Sequence, residues 1–232
     1  MPFISIAIPT YEMHNVGHEC LSFSLNKIFN QTFKDFEVVI SDSSNDNKIQ
    51  ILCEKWQDKF DLKYIKSAEC AESPTLNSTK AIKNCNGEWI KFICLDDFLM
   101  YPNSLQKIVN ALDDNYNWMV TAYIHTHDRI NFEKYHLPQL NPNICVVNTI
   151  GSPSCMILKN SKDLPEFDSQ LFYAYDCDFY HRMIQQFGNP KILTDVTVGT
   201  LLGKHSLTYE LATQEFINKE NEYILKKHGF IK

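Results

Sequence analysis

The chain has 232 residues and a mass of 27.0 kDa, enough to bury one substantial core. Its 44% hydrophobic and 22% charged residues are ordinary for a globular protein, and no stretch is long and apolar enough to span a bilayer. A formal net charge of −6 argues against a broad nucleic-acid-binding face, which needs a cationic surface, and leaves room only for a local basic pocket. The eight cysteines form no C-x-x-C pair, so a structural zinc site is not expected, and several sit inside apolar runs as small hydrophobes. Met1-Pro2-Phe3-Ile4 is not a basic region leading into a long apolar run. A reduced cytoplasmic setting is the expectation.

Phe3 to Ile8 is a β-branched run that stops at Pro9-Thr10, as a buried strand would. Leu21, Leu25, Ile28 and Phe29 recur at helical spacing. Phe36 to Ile40 predicts a second strand, ending in the polar cluster Ser41 to Asp46. Ile49, Leu52, Cys53 and Trp56 mark one face of a helix. Leu62 to Ile65 predicts a third strand, and Leu76 to Cys85 a helix stopped by Asn86-Gly87. Trp89 to Leu95 predicts a fourth strand, followed by Asp96-Asp97, a helix through Leu105, Ile108, Val109 and Leu112, and a strand from Trp118 to Ile124.

This β-α alternation calls for a mostly parallel, Rossmann-type α/β sheet flanked by helices. Right-handed crossovers bring Pro9-Thr10-Tyr11, Asp42 and Asp96-Asp97 to one rim, where such folds bind ligands. Two adjacent acids at that rim also fit a helix cap, but they cost desolvation unless a cation or hydrogen-bond donors offset them. From His125 to Asn148 the pattern predicts a long loop. Beyond it come a strand over Cys155 to Leu158, a helix over Leu171 to Phe187, an extended run from Ile192 to Leu202 and a terminal helix from Leu207 to His228. No linker interrupts the chain, which reads as one domain: residues 1–124, a smaller region 125–206 and the terminal helix 207–232.

The order of these elements resembles family 2 glycosyltransferases of the GT-A fold, from Ile4 to about Thr208. Ile6-Ala7-Ile8-Pro9-Thr10-Tyr11 is similar to their opening strand and first nucleotide-contacting loop. Gln31 to Asp42 is similar to their second strand with its base-contacting acid. Asn86-Gly87-Glu88-Trp89-Ile90-Lys91-Phe92, leading to Asp96-Asp97, resembles the strand before their D-x-D metal motif. Phe167-Asp168, Tyr175-Asp176-Cys177-Asp178 and Arg182-Met183 resemble the acceptor-side helix carrying the catalytic base. Lys204-His205-Ser206 resembles a basic segment touching diphosphate or metal.

The resemblance implies an inverting, metal-assisted transfer of a sugar from a nucleotide-sugar, with UDP favoured, to a hydroxyl of a glycan or similar acceptor. Asp176 is then the general base, competing with a reading as an N-terminal helix acid. Asp97 and His205 are metal ligands for manganese or magnesium, and Asp96 contacts ribose or assists the metal. Pro9, Thr10, Tyr11 and Glu12 contact the nucleoside or its ribose. Asp42 accepts from the base or caps the next helix. Lys80 supplies a cation toward phosphate or lies on a solvated helix face. A strict D-x-D would place an acid at Leu95 or Phe98, and neither is one. Acceptor contacts are expected from Gly151-Ser152-Pro153-Ser154, Tyr173, Tyr175 and the loop near His127 to Asn148. His125-Thr126-His127 lacks a third ligand at convincing spacing for zinc, and Lys226-Lys227 reads as solvated charge. The terminal helix is expected to pack on the domain or form a homodimer contact. The rivals are a nucleotidyltransferase, for which Pro9-Thr10-Tyr11-Glu12 lacks the Gly-rich basic loop, and a binding module of the same fold without catalysis.

Overall fold

The computed structural model describes residues 1–71, 73–203 and 213–231. The first half alternates as its periodicities dictate: β1 (Ile4–Thr10), α1 (Gly17–Phe29), β2 (Phe36–Asp42), α2 (Lys48–Glu54), β3 (Leu62–Lys66), α3 (Pro74–Lys83) and β4 (Trp89–Phe92). Then come β5 (Phe98–Leu99), α4 (Ser104–Ala111), β6 (Trp118–Thr126), β7 (Phe132–His136), β8 (Met156–Lys159), α5 (Tyr175–Phe187), β9 (Lys191–Leu201) and α6 (Gln214–Lys227). Local chemistry sets several ends. Ser73 caps α3 by accepting from the Leu76 N–H, with Pro74 in the first turn, and Thr213 caps α6 by accepting from the Phe216 N–H.

The strands form one sheet in the order β3-β2-β1-β4-β8-β6-β9-β5, with β7 paired to β6. β3, β2, β1 and β4 are mutually parallel. Strand β8 is antiparallel to both β4 and β6, and β9 is parallel to β6. Successive residues on the parallel strands feed opposite cores. Ile4, Ile6, Ile8, Val38 and Ile40 pack with Leu21, Leu25, Ile49 and Ile108 on the face of α1, α2 and α4. Ala7, Val39, Ile90 and Phe92 pack with Ala81, Phe179, Tyr180 and Met183 on the face of α3 and α5. Gly87 is required where α3 returns to the sheet, because a Cβ there would lie 2.6 Å from the Ser5 backbone nitrogen.

Three expectations change. The strand from Trp89 was expected to reach Leu95 but ends at Phe92, since the chain turns there: the Asp97 N–H donates to the Cys94 carbonyl at 3.0 Å. Strand β6 does not pair with β4: β8, later in the chain, lies between them. The expected loop from His125 to Asn148 contains the end of β6 and all of β7. The helix expected from Leu171 starts at Tyr175. Of the terminal helix, Gln214–Lys227 is described, and the stretch 204–212 lies outside the described residues.

Candidate active site

The C-terminal ends of β1 and β4 and the approach to α5 enclose a cavity of about 1310 Å³. Pro9 and Tyr11 line it from the end of β1, Ser43 from the end of β2, and Asp96 and Asp97 from the turn after β4. A second part of the wall comes from Tyr173, Tyr175 and Asp176, at the approach to α5 and in its first turn. Parallel β1, β2 and β4 thus deliver their polar ends to one place, while a helix distant in sequence closes it.

Asp97 is only 5% exposed, because β5 carries the chain straight from it into a pairing with β9. The Ser152 hydroxyl donates to Asp97 Oδ2 at 3.0 Å, and the Leu201 N–H donates to Oδ1 at 3.2 Å. Burial, helped by the neighbouring Asp96 charge, outweighs these bonds and pushes the carboxyl up to about 8.

Asp176 sits half-buried in the first turn of α5. The Asn148 side-chain amide donates to its Oδ2 at 2.7 Å, and the Cys177 N–H to its Oδ1 at 2.7 Å. Burial pushes this carboxyl up to about 7, and the Glu220 charge adds to the rise against those hydrogen bonds. A base poised near neutrality can both accept and release a proton. The Tyr175 phenol is pushed far up by burial first, then by Cys94, Asp176, Asp96 and Asp97, so the acids of both parts of the wall share one electrostatic neighbourhood.

The other residues singled out in the sequence divide. Pro9 and Tyr11 line the cavity. Thr10 is buried behind them, its hydroxyl donating to the Ser41 carbonyl at 3.3 Å. Glu12 accepts from the Asn45 N–H and side-chain amide, bracing the turn after β2. Asp42 is fully buried and does not line the cavity. Its carboxylate accepts from the Tyr64 hydroxyl at 2.7 Å, the Ser44 N–H at 2.9 Å and Lys66 Nζ at 3.3 Å, so its oxygens already serve the β2–β3 corner. The Lys80 ammonium pairs with Glu69 and lies outside the cavity lining. His205 lies outside the described residues. His127 lines the wall, with Nε2 3.1 Å from Glu133. Lys227 is not a free solvated charge: it bridges Asp168 at 2.7 Å and Asp178 at 2.9 Å.

Asn77 stood out in no sequence pattern, and Asn148 and Gly151 were expected only as acceptor-side positions, without the roles the fold gives them. Asn148 ends a segment with no periodicity, yet besides holding Asp176 its carbonyl oxygen accepts from the Gly151 N–H at 2.6 Å. Gly151 has φ +105, and a Cβ there would lie 2.3 Å from the Tyr123 ring, so glycine is needed on both counts. Asn77 on α3 lines the cavity and donates to the Thr10 carbonyl at 2.9 Å. Lys91 is completely buried, its ammonium donating to the Ser154 carbonyl. Burial pulls Lys91 down to about 8, although Cys155 and Asp97 act the other way.

Among the described residues no group of three or more His, Cys, Asp or Glu is arranged to hold a metal alone. Asp96 and Asp97 fit a hard cation of another kind, bound by one or two carboxylates and completed by phosphate oxygens and water. A buried acid beside a second acid is the donor set that such a cation would relieve.

The profile of glycosyl transferase family 2 matches residues 5–187, which span both parts of this cavity's wall. The chain belongs to glycosyl transferase family 2. A glycosyltransferase of Rickettsia typhi is 26% identical over 198 residues, covering 79% of this chain and 59% of that protein. A poly(ribitol-phosphate) beta-N-acetylglucosaminyltransferase, TarS of Staphylococcus aureus, is 31% identical over 114 residues, 49% of this chain and 19% of that one. The crystal structure of TarS in complex with UDP-GlcNAc superposes with a TM-score of 0.72 at 20% identity, covering 96% of this chain and 66% of the other. A mannosyltransferase of Pyrobaculum calidifontis in complex with GDP-Man and Mn2+ superposes with a TM-score of 0.63 at 14% identity, covering 88% and 58%. These likenesses establish the GT-A fold, a mixed sheet flanked by helices. The chain spans about three fifths of the length of the Rickettsia relative. No helix among the described residues is long and apolar enough to cross a membrane.

Proposed function

We propose that this family member transfers a sugar from a nucleotide-sugar, with UDP as the favoured nucleotide, to a hydroxyl of a glycan or similar acceptor, with inversion. Residues 1–124 form the donor half and residues 125–206 the acceptor half. The single observation that carries the reading is the convergence of Asp96-Asp97 and Asp176, from parts of the chain distant in sequence, on one cavity. A direct displacement needs one group to stabilise a departing diphosphate and another to take the acceptor's proton, on different sides of the anomeric carbon.

Asp176 is the general base. Its Oδ1 and Oδ2 are oriented by Cys177 and Asn148, and its raised pKa suits proton uptake near pH 7. Asp97 and Asp96 would hold a manganese or magnesium ion, whose bound form offsets the charge of the leaving diphosphate. Pro9 and Tyr11 form a surface for the nucleoside. Tyr173 and Tyr175 offer ring faces to an acceptor sugar.

The test is a thermal-shift panel of nucleoside diphosphates and their sugars, with and without manganese, followed by turnover of each ligand that stabilises the protein. A UDP-sugar should raise Tm more with manganese than without, and be consumed. Stabilisation by a nucleotide-sugar with no turnover, even on adding acceptors, would mark a binding module instead. No stabilisation by any member would end both readings.

A further inference from the structure

Glu220 stands on α6, beyond the residues that the family profile matches. It is 6% exposed. Its carboxylate accepts three consecutive backbone N–H groups: Phe172 on Oε1 at 2.7 Å, and Tyr173 at 2.9 Å and Ala174 at 2.8 Å on Oε2. These residues line the cavity and lead directly into α5, with Asp176 two positions further on. The first turn of a helix carries N–H groups without intrahelical partners, and α5 has no side-chain cap of its own at Ala174. A carboxylate from another helix therefore organises the entry to α5, with charge of the sign that this end of the dipole favours.

Helix α6 is fixed independently at its far end. Tyr223 donates to Asp168 at 2.9 Å, Lys227 bridges Asp168 and Asp178, and His228 Nε2 lies 2.9 Å from Asp178. The helix also contributes Ile217 and Asn221 to the cavity wall. The three hydrogen bonds of the Glu220 carboxylate all fall on the one segment beside Asp176.

We propose that Glu220 is a positioning residue: it sets the backbone at 172–174 and so aims Asp176 at the acceptor hydroxyl. The proposal rests on Asp176 as general base. The other groups whose charge couples to Asp176 are Tyr123, Tyr173, Tyr175, Tyr180, Cys94, Cys155 and Cys177. Burial pushes all of these thiols and phenols up, so they stay neutral at pH 7 and Glu220 supplies the negative charge.

Glu220→Gln tests this in the full chain, because an amide keeps the shape but sets its own N–H donors against the backbone donors. Two readouts need no substrate: the Asp176 carboxyl titration followed by 13C NMR, and hydrogen exchange of the 172–174 amides. The Asp176 pKa should fall by at least half a unit and exchange at 172–174 should quicken at least tenfold. With UDP-GlcNAc and manganese as probe, kcat for turnover should drop 10-fold or more while UDP Kd stays within twofold. Lys227→Met loosens the C-terminal anchor of α6 but leaves Glu220 and its three bonds in place, and should leave exchange at 172–174 unchanged. If Glu220→Gln does not fold, Glu220→Asp, which keeps the charge but draws the carboxylate back by one methylene, should quicken exchange at 172–174. An unchanged Asp176 titration and unchanged exchange in the Glu220 variant, or identical behaviour of the Glu220 and Lys227 variants, overturns the proposal. Absence of turnover in the wild type with both NMR effects present counts instead against Asp176 as a catalytic base.

Discussion

Asn148 donates its side-chain amide to Asp176 Oδ2 at 2.7 Å across 28 residues of sequence, and the same amide spans Gly151. One Asn thereby ties the loop after β7 to the N-terminal turn of α5 and holds a carboxylate that lines the same cavity as the acid pair after β4. The contact stabilises the ionised form of Asp176, because a donor to a carboxylate favours the charge. Asp176→Asn should lower transfer by about 10²–10⁴-fold, the usual contribution of a positioned general base, with nucleotide affinity nearly unchanged. Asn148→Ala should raise the Asp176 pKa further. The acidic limb of the rate profile, expected near pH 7 from the raised Asp176 carboxyl, should then move to higher pH, as a pH–kcat series would record.

Asp97 makes the ligand-free protein less stable as pH rises. Its folded carboxyl is held above its unfolded value by burial. Between the two pKa values the folded state keeps a proton that the unfolded chain has released, so stability falls with pH by up to about 1.4 kcal/mol per unit. Asp176, also raised, acts in the same direction. Tm should decline from pH 5 to pH 7.5, and Asp97→Asn should flatten much of that decline. Manganese with UDP should stabilise more at pH 8 than at pH 6, because binding must expel the Asp97 proton.

The sequence admits two roles for Asp42, and its surroundings separate them experimentally. Its buried carboxylate holds Tyr64, Ser44 and Lys66 together. Asp42→Asn leaves donors facing donors and should cost about 2 kcal/mol or more, seen as a shift in urea midpoint. UDP affinity, corrected for the unfolded fraction, should change less than threefold. A large affinity loss with little loss of stability would instead give Asp42 to the nucleobase.

Lys91 is a fully buried ammonium whose hydrogen-bond partner is the Ser154 carbonyl. Burial depresses its pKa, so at pH 7 the folded state carries a charge it would rather lose, and stability from this group rises as pH passes through its folded pKa. Replacing such a group with an apolar one of similar length is often neutral or stabilising. Lys91→Met should therefore raise Tm at pH 7, measured by calorimetry. A marked fall in Tm would mean that the ammonium offsets the Asp96-Asp97 pair and is needed there.

Apolar periodicity alone determined β1, β2, β3, α1 to α4 and the common rim of Pro9, Tyr11 and Asp96-Asp97, because parallel strands with helical crossovers admit few arrangements. Asp176 was singled out by the resemblance of Tyr175-Asp176-Cys177-Asp178 to a family motif, not by periodicity. What periodicity could not carry was long-range pairing. The insertion of β8 between β4 and β6, and the pairing of β5 with β9, depend on strand edges meeting over distances that local pattern does not encode. Those pairings bury Asp97 against Leu201 and bring Ser152 to it. The β2–β3 pairing sets Asp42 against Tyr64, and long-range contacts deliver Asn148 and Glu220 to the segment around Asp176. Which residues bear carboxylates is written along the chain, whereas their protonation and aim follow from burial and from donors that arrive only when remote segments pack.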